Sequence, residues 1–376
     1  MITRSLETQV FESLKPGQVV GLFGPRRVGK TVLMEKIIQS LGDQKILSVA
    51  GDNLSAAENL SSQRLDVLEK FLLDSEYLFI DEAQKIPNIG INLKLIVDHI
   101  KNIKVFVTGS SSFDLRRQVG EPLVGRNRFF HLYPIAQLEL KQSENWLQTH
   151  TNLETRLIFG SYPQVIEAST NNEKQKILES IRDGYLLKDI LELDNLKDSL
   201  FIFNLLRAIA FQIGNDISYS ELASNLNVNK KTVMRYLELL EKIYIIFPLY
   251  PFSRNLRKEY FKTPRYYFWD NGIRNAIISN FNSLNSRDDV GRLWENYCQI
   301  ERLKKVNYTN LSSNRYFWRT YDKKEIDLIE ERGGKLYGYE MKWKKDNAKV
   351  PKEFLETYKN SEYQIINREN YLDFIT

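Results

Sequence analysis

Hydrophobic and polar positions alternate along the chain in two rhythms. In the first third, short apolar runs at Val19 to Phe23, Lys45 to Ala50, Tyr77 to Ile80, Lys104 to Thr108 and Phe129 to Leu132 read as strands. Between them lie helical stripes such as Leu33, Ile37 and Leu41, then Leu65, Leu68, Phe71 and Leu72. Strands and helices in turn predict a doubly wound α/β domain over residues 1–140. Residues 141–200 turn helical, with Leu186, Ile190 and Leu191 as repeats, and read as a connector or lid. In residues 201–265, Ser218 and Glu221 form a capping box ahead of Leu222, Ala223 and Leu226. Asn227 suits a left-handed turn, and a second helix follows from Asn229 with Val233, Tyr236, Leu237 and Leu240 facing inward. Within residues 266–376, the stretch Arg315 to Lys345 reads as three strands, the last two joined by Gly333-Gly334.

The first strand leads directly into G-x-x-x-x-G-K-T, spanning Gly24, Pro25, Arg26, Arg27, Val28, Gly29, Lys30 and Thr31, and a helix follows. A strand, a glycine loop and a helix are the context a phosphate-binding loop requires, because inward-turned amides and a helix N-terminus both favour an anion. Lys30 would reach the β- and γ-phosphates of ATP, and the Thr31 hydroxyl would ligate Mg²⁺. The strand at Tyr77 ends in Asp81-Glu82, the Walker B pattern: Asp81 would hold Mg²⁺ through water and Glu82 would polarise the attacking water. Thr108 and Ser110, closing the next strand, are candidates to touch that water, although a serine-rich turn reads equally as a plain loop. Arg116, Arg117, Arg126 and Arg128 supply candidates for an arginine finger, in cis or reaching into a second copy of a homo-oligomer; each alone reads as a surface arginine.

Composition narrows the remaining classes. No apolar run reaches membrane-span length, the longest, Ile243 to Phe252, holding two prolines. The N-terminus does not resemble a signal peptide, and the single cysteine, Cys298, suits a reducing cytoplasm. His99, His131 and His150 are too scattered to suggest a zinc site. The net charge of +5 is concentrated: Asn229 to Arg265 carries nine lysines and arginines against three glutamates, which points to a polyanion such as DNA.

The ordered set R-S-L-E, G-P-R-R-V-G-K-T, L-F-I-D-E-A-Q-K-I-P, V-T-G-S-S-S, L-V-G-R and G-S-Y-P resembles a family of bacterial and archaeal AAA-type ATPases. The resemblance covers nearly the whole chain and implies an N-terminal P-loop ATPase domain joined to a C-terminal domain of unknown function. Residues 201–265 look like a winged helix, whose second helix would offer Lys230, Lys231 and Arg235 to DNA, with Arg254, Arg257 and Lys258 adding charge. Glu238 and Glu241 on the same helix would repel phosphate, and winged helices also serve as protein-contact modules.

Within residues 266–376, Asp327, then twelve residues, then Glu340-x-Lys342 resembles the PD-(D/E)XK nuclease superfamily. If the hairpin loop is the two glycines, Asp327 lies across from Glu340, and Glu325 across from Lys342, on one face. Like charges opposite one another destabilise a hairpin, so a divalent cation is the expected offset. The resemblance implies Mg²⁺ held by Asp327 and Glu340, with Lys342 positioning or activating water, and a helical glutamate, Glu295 in G-R-L-W-E-N-Y, joining them. Glu301 is the reserve. A solvated hairpin face, with Lys342 neutralising its neighbours, is the plainer reading. The sequence thus predicts an ATPase coupled to a DNA-binding, Mg²⁺-dependent nuclease-like region. Its alternative is an ATP-dependent switch that binds a protein partner and cuts nothing.

Overall fold

The computed structural model describes residues 2–110, 123–186, 199–254, 263–344 and 351–376. The chain forms two compact units, residues 1–134 with 242–244, and the remainder. Arg116, Arg117, Ile190, Leu191, Arg257 and Lys258 lie outside the described residues.

The first unit is built on five parallel strands: β1 (Val19–Phe23), β2 (Ile46–Ala50), β3 (Tyr77–Asp81), β4 (Lys104–Gly109) and β5 (Asn127–His131), in the order β2-β3-β4-β1-β5. All five residues of β1 are buried, as a central strand covered on both faces requires. The helix Lys30–Ser40 buries Leu33, Met34 and Ile37. Leu41, the last member of the expected stripe, falls just past its end and caps it. From β1 the chain crosses to the far edge at β2, returns through β3 and β4, and then adds β5 on the other side of β1. Such a reversal leaves a crevice at the carboxyl end of the central strand, where open α/β sheets bind their ligands.

The second unit carries a six-stranded sheet in the order β11-β10-β9-β8-β6-β7. Its members are β6 (Ile246–Pro251), β7 (Arg265–Phe268), β8 (Asn314–Arg319), β9 (Glu325–Arg332), β10 (Lys335–Met341) and β11 (Ser361–Ile366). The β9–β10 hairpin turns on Gly333 and Gly334, both in the left-handed region that a two-residue turn demands. Its register, Lys335 against Arg332 through Tyr339 against Leu328, is the one the glycine pair predicts. β6 changes partner along its length: Ile246 to Leu249 pair with β7, and Tyr250 and Pro251 pair with β8. The expected boundary at residues 265 and 266 therefore falls inside a sheet. Phe252, Trp318, Ile326, Ile329, Leu336, Phe354 and Tyr358 form one apolar core there. The helix Val290–Tyr308 buries Leu293, Trp294, Tyr297 and Ile300 along its length.

The two helices lie where the sequence places them, but the capping box is half formed: among the described residues the Ser218 amide makes no return bond to the Glu221 side chain. Ser218 Oγ accepts the Glu221 amide at 3.2 Å, Asn227 is left-handed, and the helix Lys230–Lys242 buries Val233, Tyr236, Leu237 and Leu240. Among the described residues, no helix is long and apolar enough to cross a membrane.

Candidate functional site

At the end of β1 the chain turns at Gly24, where a Cβ would stand 2.0 Å from the Leu132 carbonyl, so only glycine fits. Gly29, left-handed with φ of 95°, caps the following helix without a side-chain bond, which leaves the capping to whatever the loop encloses. Lys30 is buried, and its Nζ donates to the carbonyls of Gly24 and Pro25, each at 2.9 Å. The ammonium is thus held across the loop that would wrap a phosphate.

Beside it, Thr31 Oγ1 donates to Asp81 Oδ2 at 2.8 Å, and Thr108 Oγ1 donates to Asp81 Oδ1. The Thr108 hydroxyl in turn accepts the Glu82 amide at 3.0 Å. Glu82 adopts a left-handed backbone, an uncommon state for a non-glycine residue and one worth explaining by function. Its Oε2 accepts from Ser110 Oγ at 3.0 Å and from Gln84 Nε2. A hydroxyl and a carboxylate side by side next to a lysine are the donor set that Mg²⁺ and a nucleotide phosphate require. Thr31 and Asp81 would hold the ion, and Glu82 is placed one residue beyond it on the same strand end.

Of the arginine-finger candidates, Arg126 pairs with Asp98, and Arg128 lies 5.3 Å from the Phe130 ring centre. Asp98 belongs to the helix Ile89–His99, and Arg128 is exposed on β5. Sequence reasoning missed two supports. Arg4 bonds the carbonyls of Val28 and Tyr133, each at 2.6 Å, bracing the loop from behind. Gln84 bridges Glu82 and Ser110, and its own Oε1 is buried with no partner among the described residues. The motif R-S-L-E contained Arg4, but no local pattern tells that it reaches a carbonyl 129 residues away.

In the second unit the sheet brings Asp327 and Glu340 side by side, both buried. Asp327 Oδ2 accepts the Met341 amide at 2.8 Å. Lys342 Nζ pairs with Glu340 Oε1 at 2.7 Å, while Glu340 Oε2 is buried and has no partner among the described residues. Burial, then the charges of Glu295 and Glu340, push the Asp327 carboxyl well above the usual range. Burial likewise raises Glu295 to about 6, against the pull of Arg265 and of the Tyr267 hydroxyl, which donates to its Oε1 at 2.6 Å. Burial disfavours the Lys342 ammonium, but Glu340, Asp327 and Glu295 outweigh it and hold its pKa above the ordinary value.

Two expectations for this region are corrected by the contacts. Glu325 pairs with Arg265 at 2.6 Å rather than with Lys342. Glu301, the reserve, is occupied by Lys304 at 2.6 Å and by the Gln137 amide at 2.6 Å. Arg265 itself was counted in the basic block facing a polyanion, yet it is 3% exposed. It reaches Asp216 at 3.3 Å and Glu325 at 2.6 Å, and its nearest approach to Asp327 is 4.0 Å. An internal guanidinium thus supplies part of the charge expected of a cation. Among the described residues, no group of three histidine, cysteine, aspartate or glutamate side chains is placed to hold a metal. Asp327 and Glu340 fit half of a divalent-cation site; Glu295 is turned to Tyr267.

On the helix Lys230–Lys242, Lys230, Lys231 and Arg235 are exposed at the N-terminal half. Arg254 pairs with Glu331 and packs 5.5 Å from the Phe252 ring centre, so it is engaged within its own sheet.

Comparison with known proteins divides the chain in the same order. Residues 150–284 match a domain of unknown function (DUF8612), and residues 290–373 match a second (DUF4143). An uncharacterized protein of Mycobacterium tuberculosis is 27% identical over 349 residues, covering 90% of this chain and 73% of the relative. One from Haemophilus influenzae is 24% identical, covering 83% and 79%. Among solved structures, AMPPCP-bound DnaA from Aquifex aeolicus aligns with a TM-score of 0.28 and 12% identity, over 64% of this chain and 89% of that one. Residues 16–141 match the model of an AAA domain, and this stretch carries the phosphate loop at the carboxyl end of β1.

Proposed function

We propose that the chain hydrolyses ATP, with Lys30 and the loop amides binding the phosphates, Thr31 and Asp81 holding Mg²⁺, and Glu82 activating water. The observation that carries this is the joined set of Lys30 in its loop and Thr31 on Asp81 at 2.8 Å, with Glu82 fixed one residue on by Ser110 and Gln84. Bound Mg²⁺ would neutralise charge on the phosphates. The protein's own part is to orient: Thr108 keeps Asp81 and the Glu82 backbone in place, and Ser110 and Gln84 aim the carboxylate. ATP affinity and steady-state turnover of Lys30→Ala and Glu82→Gln test the assignment. Lys30→Ala should lose affinity, whereas Glu82→Gln should keep ATP bound and lose turnover. Wild-type turnover from Glu82→Gln would remove that residue from its role.

The same reading extends to DNA. Lys230, Lys231 and Arg235 would meet phosphates, joined by Arg254, Arg257 and Lys258. Asp327 and Glu340, with Glu295, would hold Mg²⁺ or Mn²⁺, and Lys342 would steady the attacking water or the charge developing on phosphorus. The unpartnered Glu340 Oε2 supports it. In that case Asp327→Ala and Lys342→Ala abolish metal-dependent nicking and leave ATP turnover intact. A nick-free wild type whose melting temperature ignores millimolar Mn²⁺ would sink it.

A second reading is a switch that binds a protein partner and cuts nothing. Arg265 favours it, since an internal guanidinium beside Asp327 offsets the carboxylates without a metal.

A further inference from the structure

Glu238 and Glu241 sit badly on a helix meant for DNA, and their surroundings explain what else they could do. With Met234 they recur at positions i, i+4 and i+7 of the helix Lys230–Lys242, so the three side chains form one stripe. Across from that stripe stand β6 and β7. Pro248 pairs with Tyr266, and strand alternation puts Tyr250 on the same face two residues on. A third tyrosine, Tyr219, opens the helix Tyr219–Asn225 and brings its hydroxyl within 3.1 Å of the Tyr266 hydroxyl. Together Tyr219, Tyr250, Tyr266, Met234, Glu238 and Glu241 line a cavity of about 340 Å³, finished by two prolines. Tyr250 is 55% exposed and Met234 40% exposed, so the cavity opens to solvent.

The chemistry of this lining is one-sided. Phenol rings present a negative face, and Glu238 and Glu241 add carboxylates; among the described residues that line the cavity there is no lysine or arginine. The field is felt locally. Burial first, and then Glu241 and Glu238, raise the phenols of Tyr219 and Tyr250 above their ordinary values. A phosphate entering here would meet like charge, whereas an ammonium or guanidinium would gain both ring faces and carboxylates. Met234 adds a deformable wall able to follow the aliphatic stem of a long side chain.

We propose that this cavity is a docking site for a lysine or arginine side chain presented by a partner protein. The basic first turn of the helix, with Lys230 and Lys231, lies outside the cavity lining, so the inference stands independently of nucleotide hydrolysis and of DNA contact. It divides the helix into a cationic start and an anionic, tyrosine-walled second half.

Met234 offers a direct probe, because the chain has four methionines and only Met234 lines this cavity. The full-length protein, labelled with ¹³C at methionine methyls, would be titrated with hexalysine and hexaarginine peptides, and separately with a short DNA duplex and with spermidine. The Met234 signal should move saturably with at least one peptide while the signals of Met34 and Met341 stay in place. Glu238→Gln with Glu241→Gln should weaken that binding by about tenfold or more, and Tyr250→Ala by about fivefold. Unchanged Met34 and Met341 signals and an unchanged melting temperature would show that the variants fold. A Met234 signal unmoved by millimolar peptide, or moved equally in the double glutamine variant, overturns the proposal. So does a signal moved more tightly by the duplex, which would make this a nucleic-acid face, or by spermidine, which would make it a small-cation site.

Discussion

Asp81 and Glu82 in the first unit and Asp327 and Glu295 in the second are both paired acidic groups near a lysine, yet they are held in opposite ways. Around Asp81 and Glu82 the neighbours are neutral donors: two threonine hydroxyls, a serine hydroxyl and a glutamine amide. Each carboxylate is fixed in place by hydrogen bonds that strengthen in a low dielectric. Around Asp327 and Glu295 the neutral donors, the Met341 amide and the Tyr267 hydroxyl, are joined by other charges. Glu340 and Glu295 repel Asp327, and Arg265 with Lys342 supplies the compensation. Under the proposed function, the first arrangement would receive a ligand that brings its own charge and metal. The second stores unfavourable charge in a buried place, and either a proton, a cation or Arg265 has to offset it.

The sharpest way to break this contrast is in the first unit. If Glu82 is a base held by neutral donors, Glu82→Gln keeps the shape and loses turnover by roughly 10²–10⁴-fold, measured as steady-state ATP hydrolysis at saturating nucleotide. Gln84→Ala should lower turnover less, because Ser110 still holds the carboxylate.

In the second unit the corresponding change is Arg265→Met. It leaves Asp216 to Arg319 and strips Glu325 and Asp327 of their shared cation; with Glu325 43% exposed, the loss should fall below the about 3–5 kcal/mol of a fully buried pair. Urea unfolding would report it. Millimolar Mn²⁺ should restore part of the loss if Asp327 and Glu340 accept a cation, and restore none if Arg265 is the only charge the cluster was built for.

A smaller effect separates proton from metal. The folded Glu295 carboxyl, at about 6, lies above its unfolded value of 4.5, so the native state binds the extra proton. Its contribution therefore favours folding at low pH and is lost as pH rises from about 4.5 through 6, by about 2 kcal/mol in all. Asp327 acts in the same direction. Glu295→Gln should flatten that part of the stability profile, and an unchanged slope between those pH values would contradict the raised pKa.

The least of these effects concerns the exposed helix. If duplex DNA binds through about four to six phosphates, the log–log salt slope is roughly −4 to −5. Charge reversal at Lys230 and Lys231 should reduce it in magnitude by about two. A flat salt response would leave this face to protein contact.

The nucleotide site was legible because its chemistry is contiguous. Gly24 to Thr31 is one loop, Asp81 and Glu82 are adjacent, and the strand rhythm places both at the same sheet edge. The hairpin register was equally local, since two glycines fix a two-residue turn and alternation then decides which residues face one another. Charge counting went astray for the opposite reason. Of the basic residues between Asn229 and Arg265, Arg265 is internal and Arg254 is paired with Glu331, and neither is visible in a sum of charges.

What the sequence determined by itself is therefore whatever a few neighbouring residues and a strand or helix period can encode: the phosphate loop, the acidic pair, the two glycine turn and the inward faces of the helices. Tertiary structure decided the partners. Arg4 reaches Tyr133, Arg265 reaches Glu325 over 60 residues, Tyr267 reaches Glu295 over 28, and two glutamates of the helix Lys230–Lys242 become one wall of a tyrosine-lined cavity. A side chain's chemistry depends on its burial and on the charges around it, and both are set by segments that meet only once the chain has folded.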